Sequence, residues 1–284
     1  MNNSLKWQKM KNADIPAVEK LLRANEDNYV NACGKFLARG ESNEPVWLLR
    51  SLNNEISAII VNARSALMPV LCGVKEIPKP GFLGGFLNLK KIHSVQGLKS
   101  EVILLDEAME KTGRRAADGY DYDLMTLDSM QAMERKVRKK ETGNLVLRVP
   151  QMTDLDALSL LQEGYEKEEV IPKGSVFCSA ASRVNAAGII ASRLVLAAEL
   201  DGRLVGKINI NAVSFTRYQI GGVYVHPDFR GRGIAGKMTN EFTAFLLSQG
   251  RGVTLFVKKV NIAARRLYLN LGFVIKADYR ITYY

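Results

Sequence analysis

The segment from Gln219 to Thr239 reads QIGGVYVHPDFRGRGIAGKMT and joins a buried strand to a helix through a glycine-rich turn. The strand is rich in β-branched and aromatic residues, and Pro227 ends it because proline cannot donate to a sheet ladder. Apolar side chains then recur at helical spacing up to Gly250, where the pattern predicts a helix C-terminus. These side chains belong to Ile234, Met238, Phe242, Phe245 and Leu246.

The turn itself has the features of an anion-binding site. Gly231, Gly233 and Gly236 carry no side chains, so backbone N–H groups can approach a ligand closely. The N-terminus of the following helix adds unpaired donors and a partial positive charge. We therefore predict a phosphate-binding turn, with an ordinary tight turn as the alternative. Formal positive charge comes from Arg230, Arg232 and Lys237.

Two familiar phosphate motifs match this turn only in part. The spacing of Gly231, Gly233 and Gly236 satisfies the dinucleotide fingerprint, but four residues separate the strand from the first glycine. That motif also needs an acidic residue further on, where this chain has lysines. A P-loop would need Ser or Thr in place of Met238 to hold magnesium. Neither motif is favoured.

A third pattern, Arg230-x-x-Gly233-x-Ala235, resembles the GNAT superfamily of acyl-CoA-dependent N-acetyltransferases. A second apolar strand follows at residues 253–257. After it, Asn261-x-x-Ala264-x-x-x-Tyr268-x-x-x-Gly272-Phe273 looks like the closing segment of that family. Without the family, Asn261 is a good helix N-cap and Tyr268 a half-buried core aromatic. The resemblance implies an α/β fold of the α+β type, with a mixed sheet and a GNAT domain in the C-terminal half.

The resemblance also implies roles for individual residues. Acetyl-CoA is the expected co-substrate, and backbone groups near a bulge at Gly221-Gly222 would hold its pantetheine arm and thioester oxygen. Tyr268 would donate a proton to the departing sulfur, and Asn261 would orient the pantetheine arm. The implied pantetheine contacts are Val223, Tyr224 and Val225. The implied diphosphate contacts are Arg230, Gly231, Arg232, Gly233, Ile234, Ala235 and Gly236.

The sequence does not identify the general base of the reaction. The fourth strand of the domain offers no carboxylate, whereas several relatives place one there. Glu199, or Glu166 and Glu169 acting through water, are the candidates that we consider. The resemblance assigns the acceptor side to residues 165–193. The expected function is acetyl transfer to a small-molecule or peptide amine, and the alternative is a non-catalytic acyl-CoA sensor or scaffold.

Composition limits the number of domains and the classes of protein to which the chain can belong. The 284 residues are 47% hydrophobic, which suits about two domains with sizeable cores. The N-terminus has no signal-like apolar core, and Asn62 and Arg64 interrupt the most apolar region, so we expect a cytoplasmic protein without a membrane span. Three cysteines at unrelated spacings predict no metal site. No pattern indicates an oligomeric state.

The formal charge of +11 permits an anionic partner such as nucleic acid, but no recognition motif indicates one. A solvated basic face is the simpler explanation. Part of this charge lies in the predicted connector between the two halves of the chain. The connector's cations are Arg135, Lys136, Arg138, Lys139 and Lys140.

We predict three parts: residues 1–130, a basic linker at 131–143 and a GNAT domain at 144–284. The first part resembles a degenerate GNAT-like half that lacks both donor motifs, and an unrelated α/β domain is an equal alternative. Its predicted elements are a helix at 15–22, strands at 46–49, 56–61 and 66–71, a helix at 101–111 and a strand at 122–127. The last part has predicted strands at 145–149, 194–200, 204–210, 215–225 and 280–284, with helices after Thr153 and at 176–192.

Overall fold

The computed structural model describes residues 5–41, 45–51, 53–63, 65–78, 92–133, 144–172 and 174–284. These residues form one mixed 12-stranded sheet with helices packed on it, which confirms the predicted α/β class. The cations of the basic linker all lie outside the described residues. None of the helices in the described ranges has both the length and the apolar character that a membrane span requires.

The first half of the chain contains every helix and strand predicted for it, together with three that were missed. The three are strands β1 and β5, which are only four and five residues long, and helix α2, which is kinked at Tyr29. The strands are β1 Lys6–Lys9, β2 Val46–Arg50, β3 Ile56–Ala63, β4 Ala66–Val70, β5 Ser94–Leu98 and β6 Asp118–Leu127; the helices are α1 Ile15–Ala24, α2 Glu26–Leu37 and α3 Lys99–Glu110.

The second half follows its predicted order closely. The hairpin turn at Asp201-Gly202 is confirmed, because both residues have the positive φ angles of 50° and 79° that such a turn needs. The strands are β7 Leu145–Arg148, β8 Val195–Leu200, β9 Arg203–Val213, β10 Arg217–Val225, β11 Gly252–Lys258 and β12 Val274–Tyr283; the helices are α4 Leu155–Tyr165, α5 Ser179–Ser192, α6 Ile234–Ser248 and α7 Ile262–Asn270.

The two halves repeat one strand arrangement. In the first half β1 to β4 pair antiparallel in sequence order, and β5 then pairs parallel to β4. In the second half β7 to β10 do the same, and β11 pairs parallel to β10. The order of helices and strands predicted from the sequence is similar in the two halves, and the pairing of their strands is similar as well.

The halves exchange their last strands at the centre of the sheet. Strand β12 lies between β5 and β6, and β6 lies between β12 and β11. The C-terminal strand was expected at residues 280–284 as the end of its own domain. It is instead twice as long and pairs with two strands of the first half. Hydrogen bonding therefore runs unbroken through both halves, and the division at 131–143 stays a prediction.

Two apolar side chains do not lie where helical periodicity puts them. Phe245 of α6 is 57% exposed, although it was grouped with the apolar side chains at helical spacing, and the apolar Leu160 of α4 is 70% exposed. Each neighbours a residue that is deeply buried, Leu246 and Leu161 respectively. The buried stripe of each helix is therefore narrower than the apolar stripe in the sequence.

A carboxylate of the first half binds the second half at the turn between β9 and β10. Glu26 of α2 is 5% exposed. Its Oε1 accepts a hydrogen bond from the Thr216 backbone N–H at 2.8 Å and its Oε2 accepts one from the Thr216 hydroxyl at 2.6 Å. The Ser214 hydroxyl also donates to Oε1. These contacts attach α2 to the strand pair that forms the site described below.

We expect Glu26→Ala to lower the free energy of unfolding by about 3 kcal/mol, because the buried Ser214 hydroxyl and two donors of Thr216 lose a charged acceptor. The control is Glu19→Ala, which removes an exposed ion pair with Arg23 and should cost under about 0.5 kcal/mol. Urea denaturation measures both variants. A Glu26→Ala variant no less stable than the control would show that this contact contributes nothing to joining the halves.

Candidate functional site

A cavity opens where two parallel strands of the second half separate. Strands β10 and β11 are paired from Arg217 and Gly252 as far as Ile220 and Leu255, although both strands continue further. Beyond that point lies a cavity of about 380 Å³. Its walls in the second half include Tyr165, Glu169, Val170, Asn211, Gln219, Gly221, Gly222, Val223, Phe256, Lys258, Asn261 and Tyr268.

The first half of the chain also lines this cavity. We expected residues 165–193 to form the acceptor side, but only the beginning of that range lines the cavity, and α5 does not. From the first half the cavity is lined by Asn31 and Lys35 of α2, Gln96 of β5 and Tyr122 of β6. Ile281 and Tyr283 of β12, the strand that lies between β5 and β6, also line it.

Strand β10 carries the predicted bulge. Its register against β9 shifts between Gly221 and Tyr224, so one extra residue is inserted on β10. Gly222 has a φ of 58°, a conformation that favours glycine. A Cβ atom there would collide with Asn209 Oδ1 and lie 2.5 Å from Lys207 Nζ. Geometry and crowding thus both require glycine at this position.

The glycine-rich turn leads into the N-terminus of α6. Gly231 and Gly233 have φ angles of 75° and 84°, and Gly233 is the N-cap residue without a side-chain cap. The first helical hydrogen bond runs from Lys237 N–H to Gly233 C=O at 3.0 Å. The N–H groups of residues 234–236 therefore precede the helical pattern and can donate to an anion.

Two arginines flank this turn. Arg230 donates from Nε to the Val225 carbonyl at 2.9 Å, and its Nη2 contacts both carboxylate oxygens of Glu168 at 2.9 and 2.8 Å. Arg232 donates to the Asp228 carbonyl at 3.3 Å. Both guanidinium groups stay close to the backbone of the turn, where they add positive charge beside the helix N-terminus.

Helix α7 supplies the two other predicted site residues. Asn261 is the N-cap predicted from sequence, because its Oδ1 accepts from the Ala264 N–H at 3.1 Å. Its Nδ2 donates to Glu169 Oε1 at 3.1 Å. Tyr268 is 6% exposed, borders the cavity, and makes an edge contact with Phe273. Burial raises the pKa of Tyr268, so its hydroxyl stays protonated at neutral pH and can donate a proton.

An acidic strap, residues Glu166–Val170, crosses the opening and was not recognised from sequence. It forms a π-helical turn, with Ile171 N–H bonded to Glu166 C=O at 2.9 Å. Besides the contact with Arg230, the Tyr224 hydroxyl donates to Glu168 at 3.1 Å. On the side of β11 and α7, Glu169 accepts a hydrogen bond from Asn261, and its Oε2 lies 3.4 Å from Lys258 Nζ. The strap therefore engages side chains on both sides of the gap.

The carboxylates considered as a base have different surroundings. Glu199 lies on β8, where Arg148 bridges it at 2.7 Å and also holds Asp154, so the structure does not bring Glu199 to the cavity. Glu166 is buried and accepts hydrogen bonds from Gln162 and Asn185. Of the three, only Glu169 lines the cavity.

A buried lysine beneath the bulge was also missed. Lys207 of β9 is 0% exposed, and its Nζ donates to Asn209 Oδ1 at 2.9 Å and to the Gly222 carbonyl at 3.0 Å. Burial lowers the pKa of Lys207 to about 7, opposed by the charge of Glu166. The only hint in the sequence is the position of this lysine inside an otherwise apolar strand segment.

The site as a whole is an opened parallel strand pair followed by an anion-binding helix N-terminus, an arrangement suited to an elongated anionic ligand. Within the described ranges, no group of three or more His, Cys, Asp or Glu side chains is placed to hold a metal ion. Tyr224 and Val225 are buried beside the cavity, and Val223 lines it directly.

Residues 157–273 match the model of the acetyltransferase (GNAT) family. An uncharacterized N-acetyltransferase from Archaeoglobus fulgidus is 37% identical over 81 residues, which are 26% of this chain and 55% of that protein. The chain thus spans about half the length of the curated relative that it matches. The match of residues 157–273 to the model of that family confirms the resemblance seen in the motifs of the chain.

Solved structures extend the likeness to the whole chain at the level of the fold. A GCN5-related N-acetyltransferase from Sphaerobacter thermophilus has a TM-score of 0.61 at 19% identity, covering 99% of this chain and 95% of that one. A tandem GNAT protein from the clavulanic acid biosynthesis pathway has a TM-score of 0.59 at 12% identity, covering 99% and 98%. The fold of the chain is therefore a GNAT fold, and a tandem GNAT protein shares it over both halves.

The bulge provides a test of this geometry. We expect Gly222→Ala to lower the free energy of unfolding by about 2–3 kcal/mol, because the added Cβ meets a positive φ and displaces two buried polar groups. Gly188→Ala in α5 is the control, since a Cβ there meets nothing within 4 Å. That variant should gain about 0.5–1 kcal/mol from helix propensity. Thermal or urea unfolding that ranks the two variants equally would contradict the crowding at the bulge.

Proposed function

We propose that the protein transfers an acetyl group from acetyl-CoA to the primary amine of a small molecule or peptide. The observation that carries this proposal is the separation of β10 from β11 immediately before a glycine-rich turn at a helix N-terminus. An extended acyl-CoA has its thioester at one end and a diphosphate further along, and the site offers a suitable environment for each. The cytoplasm, which contains acetyl-CoA, is the compartment that we propose.

The diphosphate binds at the start of α6 in this proposal. The N–H groups of residues 234–236 donate to it, with Arg230 and Arg232 adding charge. A Cβ at Gly231 would meet nothing within 4 Å, so there is open space beside the turn for a ligand. The pantetheine arm runs between β10 and β11, where Asn261 contacts it and backbone groups of the bulge reach the thioester oxygen.

The reaction joins the acceptor nitrogen to the acetyl carbon and breaks the C–S bond. Tyr268 protonates the departing thiolate, since its hydroxyl stays protonated at neutral pH and its side chain lines the cavity. Glu169, the one candidate carboxylate that lines the cavity, takes through water the proton that converts an ammonium group to the neutral amine. The proton that the nitrogen loses as the amide forms returns to Tyr268. Gln219 also lines the cavity, and its buried Oε1, without a hydrogen-bond partner among the described residues, can accept from the amine N–H.

A binding module without catalysis is the second candidate. The acidic strap favours it, because Glu168 and Glu169 already engage Arg230 and Asn261, two proposed donor contacts. Calorimetry with acetyl-CoA, followed by a screen of amines and peptides for thiol release, separates the candidates. Binding with release supports the enzyme, and binding without release supports a sensor or scaffold. Absence of acetyl-CoA binding with clear saturation by ATP or NADPH would contradict both.

We expect Tyr268→Phe to lower kcat by about 10²-fold, because the thiolate loses its proton donor. The affinity for acetyl-CoA should hold, since the ring is kept. Steady-state kinetics with an amine identified in the screen, together with calorimetry, measures both quantities. Turnover equal to that of the wild type would remove Tyr268 from the mechanism.

We expect Glu168→Gln to tighten acetyl-CoA binding by about fivefold, because a carboxylate no longer competes with phosphate for Arg230. Asp228→Asn is the control: it removes the same charge from the neighbouring turn, but its side chain contacts His226 rather than Arg230. Calorimetric titration should show a smaller change for the control. Weaker binding by Glu168→Gln would mean that the strap orders the donor site rather than competing for it.

A further inference from the structure

Lys207 is a buried ionisable group that the proposed mechanism does not use. It belongs to β9, next to the bulged part of β10, and its side chain is fully buried. Long charged side chains are rarely buried unless every polar atom has a partner. Here the amine donates to Asn209 Oδ1 and to the Gly222 carbonyl, and it lies 4.8 Å from the ring centroid of Tyr165.

These contacts belong to a short hydrogen-bonded row along β9. Asn209 accepts from Lys207 and donates from Nδ2 to Asn211 Oδ1 at 2.9 Å, and Asn211 lines the cavity. Glu166 is the carboxylate whose charge acts on the amine, and it is held in turn by Gln162 and Asn185. The lysine is therefore fixed on several sides and has little freedom to move.

Lys207 contacts the peptide group that joins Gly222 to Val223. In a trans peptide the C=O of one residue and the N–H of the next point in opposite directions. Because the Gly222 carbonyl points to Lys207, the Val223 N–H points away from Lys207. Val223 lines the cavity.

We propose that Lys207 is a positioning residue for acyl transfer: by holding the Gly222 carbonyl it aims the Val223 N–H at the carbonyl oxygen of the bound thioester. This inference rests on the proposed function. Lys207 keeps the peptide group between Gly222 and Val223 in one orientation through its hydrogen bond to the Gly222 carbonyl. Glycine is needed at position 222 because a Cβ there would lie 2.5 Å from Lys207 Nζ.

The test observes the donor carbonyl directly and needs no acceptor. Isotope-edited infrared spectroscopy is carried out on S-[1-¹³C]acetyl-CoA bound to the full chain. In the wild type the carbonyl band should move to lower frequency on binding, because the Val223 N–H polarises the oxygen. In Lys207→Met most of that shift should be lost. The dissociation constant should stay within about twofold, since the diphosphate contacts are remote from the lysine.

Two further variants separate positioning from a general loss of structure. Lys207→Gln keeps an N–H donor that can reach toward Gly222, so it should retain part of the band shift, and it also serves if Lys207→Met does not fold. Lys276→Met removes an exposed lysine paired with Asp27 and should leave the band where it is in the wild type. A wild-type band shift in Lys207→Met and Lys207→Gln would overturn the proposal.

A measurement on the wild type is independent of every variant. With ¹⁵N-valine labelling, the Val223 amide proton should move downfield when acetyl-CoA binds, as expected for a new hydrogen bond. An unchanged Val223 resonance in the saturated complex would overturn the proposal. Failure of acetyl-CoA to bind the wild type would instead contradict the proposed function, so the two failures are distinguishable.

Discussion

The parallel pairing of β10 with β11 ends at Ile220 and Leu255, and the chemistry of the site depends on that ending. Continued pairing would use the backbone groups of both strands and close the cavity. The bulge at Gly221-Gly222 changes the direction of β10 where the gap begins, and glycine is needed there because Lys207 and the asparagine side chains of β9 lie against it. A local backbone irregularity thus creates the space for a ligand.

The exchange of β6 and β12 gives the first half of the chain a part in this site. Because these strands lie side by side at the centre of the sheet, residues of α2, β5 and β6 reach a cavity formed mainly by the second half. Glu26 strengthens the connection at the turn between β9 and β10. The first half lacks both donor motifs, so its contribution to this site consists of the side chains that it places along the cavity.

Features with local causes could be predicted from the sequence. The strand, turn and helix around Gly231, the cap at Asn261 and the hairpin at Asp201-Gly202 each depend on residues within a few positions of one another. Features that depend on contacts between residues far apart in the sequence could not be predicted. Nothing near β12 indicates that it pairs with β5, and nothing near Lys207 or Glu168 shows which groups they face. Glu199 illustrates the same limit, since its partner Arg148 lies on another strand.

Crystallography of the complex with coenzyme A tests the central claim most directly. The account predicts density for the diphosphate against the N–H groups of residues 234–236 and for the pantetheine arm between β10 and β11, with its thiol near Tyr268. Coenzyme A bound elsewhere, with the gap between β10 and β11 empty, would contradict the account.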